Sequence, residues 1–218
     1  MIGDGKELER FFSKSTSQRF KRGETILRAG ETPPGVFYLK KGFVRLYSVS
    51  ESGEELTLMI FKPGDIFPIS WAVADSPNNY FLDAMTLCEM WRIGRKKFVS
   101  FVSENPDELY ELIGKMMVRL LGLLRRMECL VFGNAGVKIA SILCIFVEAF
   151  GRETAGGLLI EVPLTHQDIA DLVGIARETT SLEMGRLKDK GIIDYSGRTI
   201  LIRSLTRLKR ESTKSEAG

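Results

Sequence analysis

The stretch from Pro106 to Phe132, PDELYELIGKMMVRLLGLLRRMECLVF, constrains this chain more than any other. Leu109, Ile113, Met116, Leu120, Leu123, Met127 and Leu130 follow one another in alternating steps of four and three residues. That spacing lines up one apolar seam along a helix and lets two such helices supercoil. A second row, Leu112, Met117, Leu121, Leu124 and Val131, lies beside the first. Helices in ordinary domains average about a dozen residues, whereas this one would extend about 40 Å at roughly 1.5 Å per residue. The spacing predicts a dimerising helix, one row meeting a second copy of the chain and the other packing on its own domain. Such a helix is long enough to carry a signal between domains; the plainer alternative is a core helix of a single domain.

A chain of 218 residues with 44% hydrophobic content can bury a real core and divides naturally into two domains. No apolar run reaches transmembrane length, and the opening MIGDGKELERFF is charged and lacks an apolar signal core. The protein is therefore expected in the cytoplasm, with no membrane partner. Cys88, Cys129 and Cys144 are scattered and have no CxxC spacing, so they read as small buried residues. The single histidine, His166, gives metal or haem ligation little to draw on and reads as a phosphate neighbour or a surface residue. No serine, cysteine or aspartate is grouped with a base and no Gly-rich phosphate loop is present, so the expected activity is binding and not catalysis, with no cofactor. A net charge of +3 and a pI near 8.7 permit a polyanionic partner without requiring one.

Between Phe20 and Ile93 short apolar runs alternate with turn residues: KRGE at 21–24, AGETPPG at 29–35, KKG at 40–42, SESGEE at 50–55 and KPGD at 62–65. Runs of that length at such regular spacing predict an antiparallel β-roll or barrel. Gly42 and Gly53 fall where hairpins need a positive φ, and Gly35–Leu39 and Phe43–Tyr47 alternate as half-buried strands do. A short amphipathic helix follows from Arg95 to Ser103, with Asn105 as N-cap and Pro106 as first residue of the long helix.

After Phe132 the Gly133–Gly136 break places Asn134 as N-cap of an apolar helix, Val137–Phe150, ahead of a short strand at 158–162. Thr165 and Asp168 form a capping pair that opens a helix whose buried face would be Ile169, Ala170, Leu172 and Val173. Gly174 makes the turn, and a second helix runs from Arg177 to Lys190 with Leu182, Met184 and Leu187 available for packing. Two short helices joined by a glycine turn form a helix-turn-helix, the second helix of which enters a DNA major groove. Gly191–Ile202 reads as strand, Ser-Gly turn, strand: a β-hairpin wing.

The order GETILRAGE, VFYLKKGFVRLY, SGEELTLMIFKPGDIF and MWRIGRKKFVSFVSENPDELYELIGKMM, with LTHQDIADLVGIARETTS and LKDKGIIDYSGRTILI beyond it, resembles the superfamily of the cyclic-AMP receptor and the fumarate-nitrate regulator (CRP/FNR). The resemblance implies an α+β chain: a cyclic-nucleotide-binding-like β-roll over residues 1–105, a dimerisation helix over 106–133 and a winged helix-turn-helix over 134–218. It implies a homodimeric transcription regulator that binds double-stranded DNA with two-fold related half-sites, responds to a small-molecule effector and meets RNA polymerase. It marks Arg177 and Glu178 as base readers, in keeping with the ability of arginine to donate to guanine and of glutamate to accept from cytosine. Thr179 and Ser181 would serve phosphates or bases, and Thr165, Gln167 and Arg198 would hold phosphates, although Thr165 reads equally well as a cap.

Three departures qualify the resemblance. Ala176 stands where relatives have a capping serine or threonine, and Leu182 where many have a second arginine. In the segment GDIFPISWAVADSPNNYFLDAM, Pro68-Ile69-Ser70 replaces the glutamate and Asn78-Asn79-Tyr80 the arginine that hold a cyclic nucleotide, while Leu123 and Leu124 replace the residues that touch the purine. No lysine or arginine occurs between Lys62 and Arg92, so cyclic AMP is not the expected effector; Arg125 and Arg126 on the long helix are the cations that could turn inward instead. The effector pocket would be apolar, walled by Trp71, Tyr80, Phe81, Leu123 and Leu124, residues that could equally fill the core. The competing reading is a ligand-binding or scaffolding dimer whose helix-turn-helix has lost specific DNA contact.

Overall fold

The structure, a computed structural model, describes residues 6–213; residues 1–5 of the charged opening and 214–218 at the far end lie outside it. Contacts divide the chain into two compact units, one ending at Val118 and the other beginning at Arg119, so the boundary falls within the long helix.

The first unit runs α1 (Lys6–Ser13), β1 (Thr16–Phe20), β2 (Thr25–Leu27), β3 (Val36–Lys41), β4 (Val44–Val49), β5 (Glu55–Phe61), β6 (Ile66–Phe67), α2 (Ile69–Ala74), β7 (Phe81–Ala84), β8 (Cys88–Ile93), α3 (Arg95–Glu104) and α4 (Pro106–Phe132), whose second half belongs to the other unit. The strands form two antiparallel four-stranded sheets, ordered β1-β8-β3-β6 and β2-β7-β4-β5. Side chains of both sheets meet in one cluster that includes Phe37, Leu39, Val44, Phe61, Phe67, Leu82 and Met90, and this is the roll interior. At the β3–β4 turn Gly42 has φ 94°, and a Cβ there would lie 2.6 Å from the Leu87 carbonyl oxygen, so glycine is required on both counts.

Strand β3 differs from its expected half-buried pattern. Phe37 and Leu39 face the roll interior, but Val36 and Tyr38 are also buried, against Leu8 and Phe12 of α1, Phe98 and Val102 of α3 and Leu112 of α4. The helices form a second layer over this sheet, so both faces of β3 are covered. Pro106 opens α4 as expected, while the Asn105 amide reaches back to donate to the Phe101 carbonyl at 2.7 Å and closes α3.

The second unit continues from α4 through α5 (Ala135–Phe150), β9 (Gly151–Thr154), β10 (Gly157–Ile160), α6 (His166–Val173), α7 (Arg177–Asp189), β11 (Ile193–Ser196), β12 (Thr199–Ile202) and α8 (Leu205–Ser212). Asn134 caps α5, its side-chain oxygen accepting from the Val137 amide at 3.0 Å. The expected strand at 158–162 pairs on one side with β9 and on the other with the wing, giving a sheet ordered β11-β12-β10-β9. Helix α5 is buried through Ile139, Ala140, Leu143 and Phe146, and α6, α7 and α8 all pack on it.

Candidate nucleic-acid interface

Helix α6 starts at a complete capping box. The Thr165 hydroxyl accepts from the Asp168 amide at 3.1 Å and donates to the Asp168 carboxylate at 2.6 Å, and the same carboxylate accepts from the Thr165 amide. The Thr165 hydroxyl proton is therefore engaged inside the helix end, and of its two expected roles the structure shows the cap. Gln167 is exposed and donates to Asp171 one turn on, at 2.6 Å. The buried face is the expected one, Ile169, Ala170, Leu172 and Val173, and Gly174 closes the helix at φ 63°.

Helix α7 is anchored by Thr180, Met184 and Leu187 at intervals of four and three. Leu182 does not join them as the sequence suggests: two residues from Thr180, it points the other way and is 75% exposed. Thr180 takes its place, its hydroxyl donating to the Ala176 carbonyl at 3.2 Å. Ala176 supplies no side-chain cap, so the first-turn amides of α7 have no side-chain acceptor at the N-cap, the arrangement that favours an anion there. Arg177 and Glu178 are exposed in that first turn, with Thr179 half-buried beside them. Arg198 is exposed at the tip of the wing, in the turn between β11 and β12.

His166 is neither a plain surface residue nor a free phosphate neighbour. It is half-buried, with Nδ1 2.9 Å from the Ser181 hydroxyl on α7 and Nε2 3.0 Å from the Tyr195 hydroxyl on β11. One imidazole ties the first helix, the second helix and the wing together. Sequence reading missed this because the three residues are separated by helices and turns, and a lone histidine carries no spacing signal. A second brace comes from α4: Arg126 is buried and its Nε donates to the Leu172 carbonyl at the end of α6 at 2.9 Å. Burial pulls its pKa down to about 10.

Residues 17–105 match the cyclic nucleotide-binding domain family and residues 137–211 the Crp-like helix-turn-helix domain family, together most of the chain. Over 198 residues the chain is 27% identical to the global nitrogen regulator of Nostoc sp., covering 90% of this chain and 89% of that protein. It is 29% identical over 197 residues to the cAMP-activated global transcriptional regulator CRP of Pasteurella multocida, covering 89% and 93% respectively. A solved CRP/FNR family transcriptional regulator from Thermus thermophilus matches with a TM-score of 0.71 at 27% identity, over 91% of this chain and 99% of that one. The chain belongs to the CRP/FNR family of transcription regulators.

In this CRP/FNR protein the residues of the first unit expected to wall an effector pocket, Trp71, Tyr80 and Phe81, take different positions around the roll. Trp71 on α2 packs into the helical layer outside the roll, with the Arg95 guanidinium 5.4 Å from its ring centroid; Arg95 also donates to the Ala72 carbonyl and pairs with Asp75. Phe81 alternates with Leu82, which faces the roll interior, and stacks on Tyr47 at 5.3 Å on the opposite face of its sheet. Tyr80 is 42% exposed, and Leu123 and Leu124 lie on α4 beyond the unit boundary. The interior itself is filled by Phe37, Phe61 and Phe67, with ring centroids 4.8–5.7 Å apart.

The seam of α4 is open along the single chain. Ile113, Met116, Leu120 and Met127 are exposed, Leu123 and Leu130 half-buried, and Leu109 packs at the edge of the helical layer. The second row does not follow its expectation. Leu112 alone of that row is buried against its own unit, whereas Met117, Leu121, Leu124 and Val131 are also exposed. The helix outruns the layer that covers its first turns, which leaves most of both rows exposed from there on. Arg125 pairs with Glu148 on α5 at 2.7 Å, so both it and Arg126 are engaged within the second unit. Among the described residues no helix is long and apolar enough to cross a membrane.

Proposed function

We propose that this protein is a homodimeric transcription regulator that binds two-fold symmetric DNA through α7 and responds to an effector other than cyclic AMP. Residues 1–105 would form the effector roll, 106–133 the dimer helix, and 134–218 the DNA-binding domain. The observation that carries the reading is α7 itself: a helix locked down by Thr180, Met184 and Leu187 that holds Arg177 and Glu178 out in its first turn. Arginine donates two hydrogen bonds to guanine O6 and N7, and glutamate accepts from cytosine N4. Gln167, Thr179 and Arg198 would take phosphates on either side, and RNA polymerase is the further partner such a bound dimer would help or hinder.

The effector reading rests on charge. Asn78, in the Asn78-Asn79-Tyr80 stretch where cyclic-nucleotide binders carry arginine, is spent on the fold: its amide donates to the Arg28 carbonyl at 2.7 Å and its backbone carbonyl accepts from Gly30 at 2.7 Å. Arg45 alternates with the inward-facing Val44 and so lies on the outer side of its sheet, where it is held by Glu55 at 2.6 Å and Asp83 at 3.4 Å. A cyclic phosphate brought into this interior would be desolvated without a partner cation. The Pasteurella multocida relative is cAMP-activated; this chain would share its fold and DNA-binding plan but not its ligand.

The test is selection of binding sites from a random duplex pool by the purified full-length chain. Enriched sites with two-fold symmetry and half-site centres about 34 Å apart are expected from a dimer that reads successive turns of the groove. Recovery of no enriched sequence would favour the scaffolding reading.

A further inference from the structure

The exposed face of α7 carries Arg177, Glu178, Arg186, Lys188 and Asp189, all charged, and one apolar residue, Leu182, at 75% exposure. Leu182 lies one turn beyond Glu178 and on the same side of the helix, opposite the anchoring row of Thr180, Met184 and Leu187. One turn further on, Arg186 continues that side, its guanidinium 3.5 Å from the Glu183 carboxylate, and Gly185 beside it leaves open space where a Cβ would meet nothing within 4 Å. A helix face that is charged at both ends and apolar in its middle can set that one apolar side chain against a groove floor between flanking charges. We propose that Leu182 is a specificity-determining residue that reads the C5-methyl of a thymine.

The chemistry is that of the major groove, where each base pair shows a distinct pattern and the thymine methyl is the apolar element of that pattern. A charged side chain gains nothing from a methyl, and a leucine offers nothing to a guanine edge. Successive turns of the helix advance about 6 Å over four residues, and base pairs are spaced about 3.4 Å apart along a strand. Leu182 therefore addresses a base about two pairs from the one that Glu178 reads. The inference rests on the DNA-binding reading given above and adds the identity of one base.

The experiment uses a site enriched from the random pool and replaces its thymines one at a time by deoxyuridine, which removes the methyl and leaves every hydrogen-bonding group in place. Burial of one methyl-sized group corresponds to about fourfold in affinity, so a symmetric site substituted in both half-sites should lose roughly fifteenfold at one position. That loss should vanish in Leu182→Ala, which is expected to fold because the side chain is exposed. Leu182→Arg should shift the preference at the same position toward guanine. Equal affinity of the unaltered chain for thymine and deoxyuridine sites at every position, or the same loss in Leu182→Ala, would overturn the assignment while leaving DNA binding intact. If no site is enriched at all, the reading beneath it fails as well.

Discussion

The roll and the recognition helix treat their polar side chains in opposite ways. In the roll, Asn78 holds the Arg28–Gly30 loop, Arg45 is shared between Glu55 and Asp83, and Phe37, Phe61 and Phe67 fill the space between the sheets. On α7 the fold is carried by Thr180, Met184 and Leu187, while Arg177 and Glu178 are left outside it. A family fold can thus keep the architecture of a binding site while assigning its side chains to structure. Where side chains stay outside the packing, the chemistry of recognition can still be read from them.

The strongest way to break that comparison is to remove what would join two recognition helices. Leu120→Asp with Leu123→Asp would place unpaired charge in the seam at a cost of about 3–5 kcal/mol, and sedimentation should show a monomer. A double variant that stays dimeric would move the interface elsewhere. A smaller effect sharpens the DNA side: Arg177→Ala should cost about 1–3 kcal/mol and relax one base position, whereas Arg198→Ala should weaken all sequences alike and reduce the salt slope by about one. Identical behaviour of the two variants in salt titrations on matched and mismatched sites would contradict the separate roles. The smallest expected effect is none: cyclic AMP at millimolar concentration should release no heat and leave the melting temperature unchanged. Even a 10 μM binder would then stabilise by about 2.7 kcal/mol, so a saturable shift would show that the roll retains a usable cation.

The parts of the fold that were legible in the sequence have local causes. The capping box at Thr165 and Asp168, the turn at Gly174, the cap at Asn134 and the hairpin turn at Gly42 each occupy a few consecutive residues and came out as expected. Helices α1, α2 and α8 did not announce themselves, because each is eight residues or fewer and is held by side chains such as Leu8, Phe12, Ala72 and Leu208 against partners far along the chain. The placement of the aromatic residues was not legible for the same reason: Trp71 and Phe81 are close in sequence but lie outside different sheets of the roll, and aromatic content alone does not say which face a residue takes. Leu182 shows the limit of apolar pattern reading in a helix, where two positions of offset turn a core residue into an exposed one.

The imidazole of His166 has a consequence that concerns direction. A neutral ring has one N–H and one lone pair, so of its two hydroxyl neighbours one must give a proton and the other must receive one. If Tyr195 donates to Nε2, Nδ1–H donates to Ser181, and the serine proton is left for another acceptor. If the ring is turned to the other tautomer, Ser181 spends its proton on the histidine and can only accept. The wing and the recognition helix therefore share a single orientation of hydrogen bonds, and a change of partner at Tyr195 on the wing would invert whether the Ser181 hydroxyl donates or accepts.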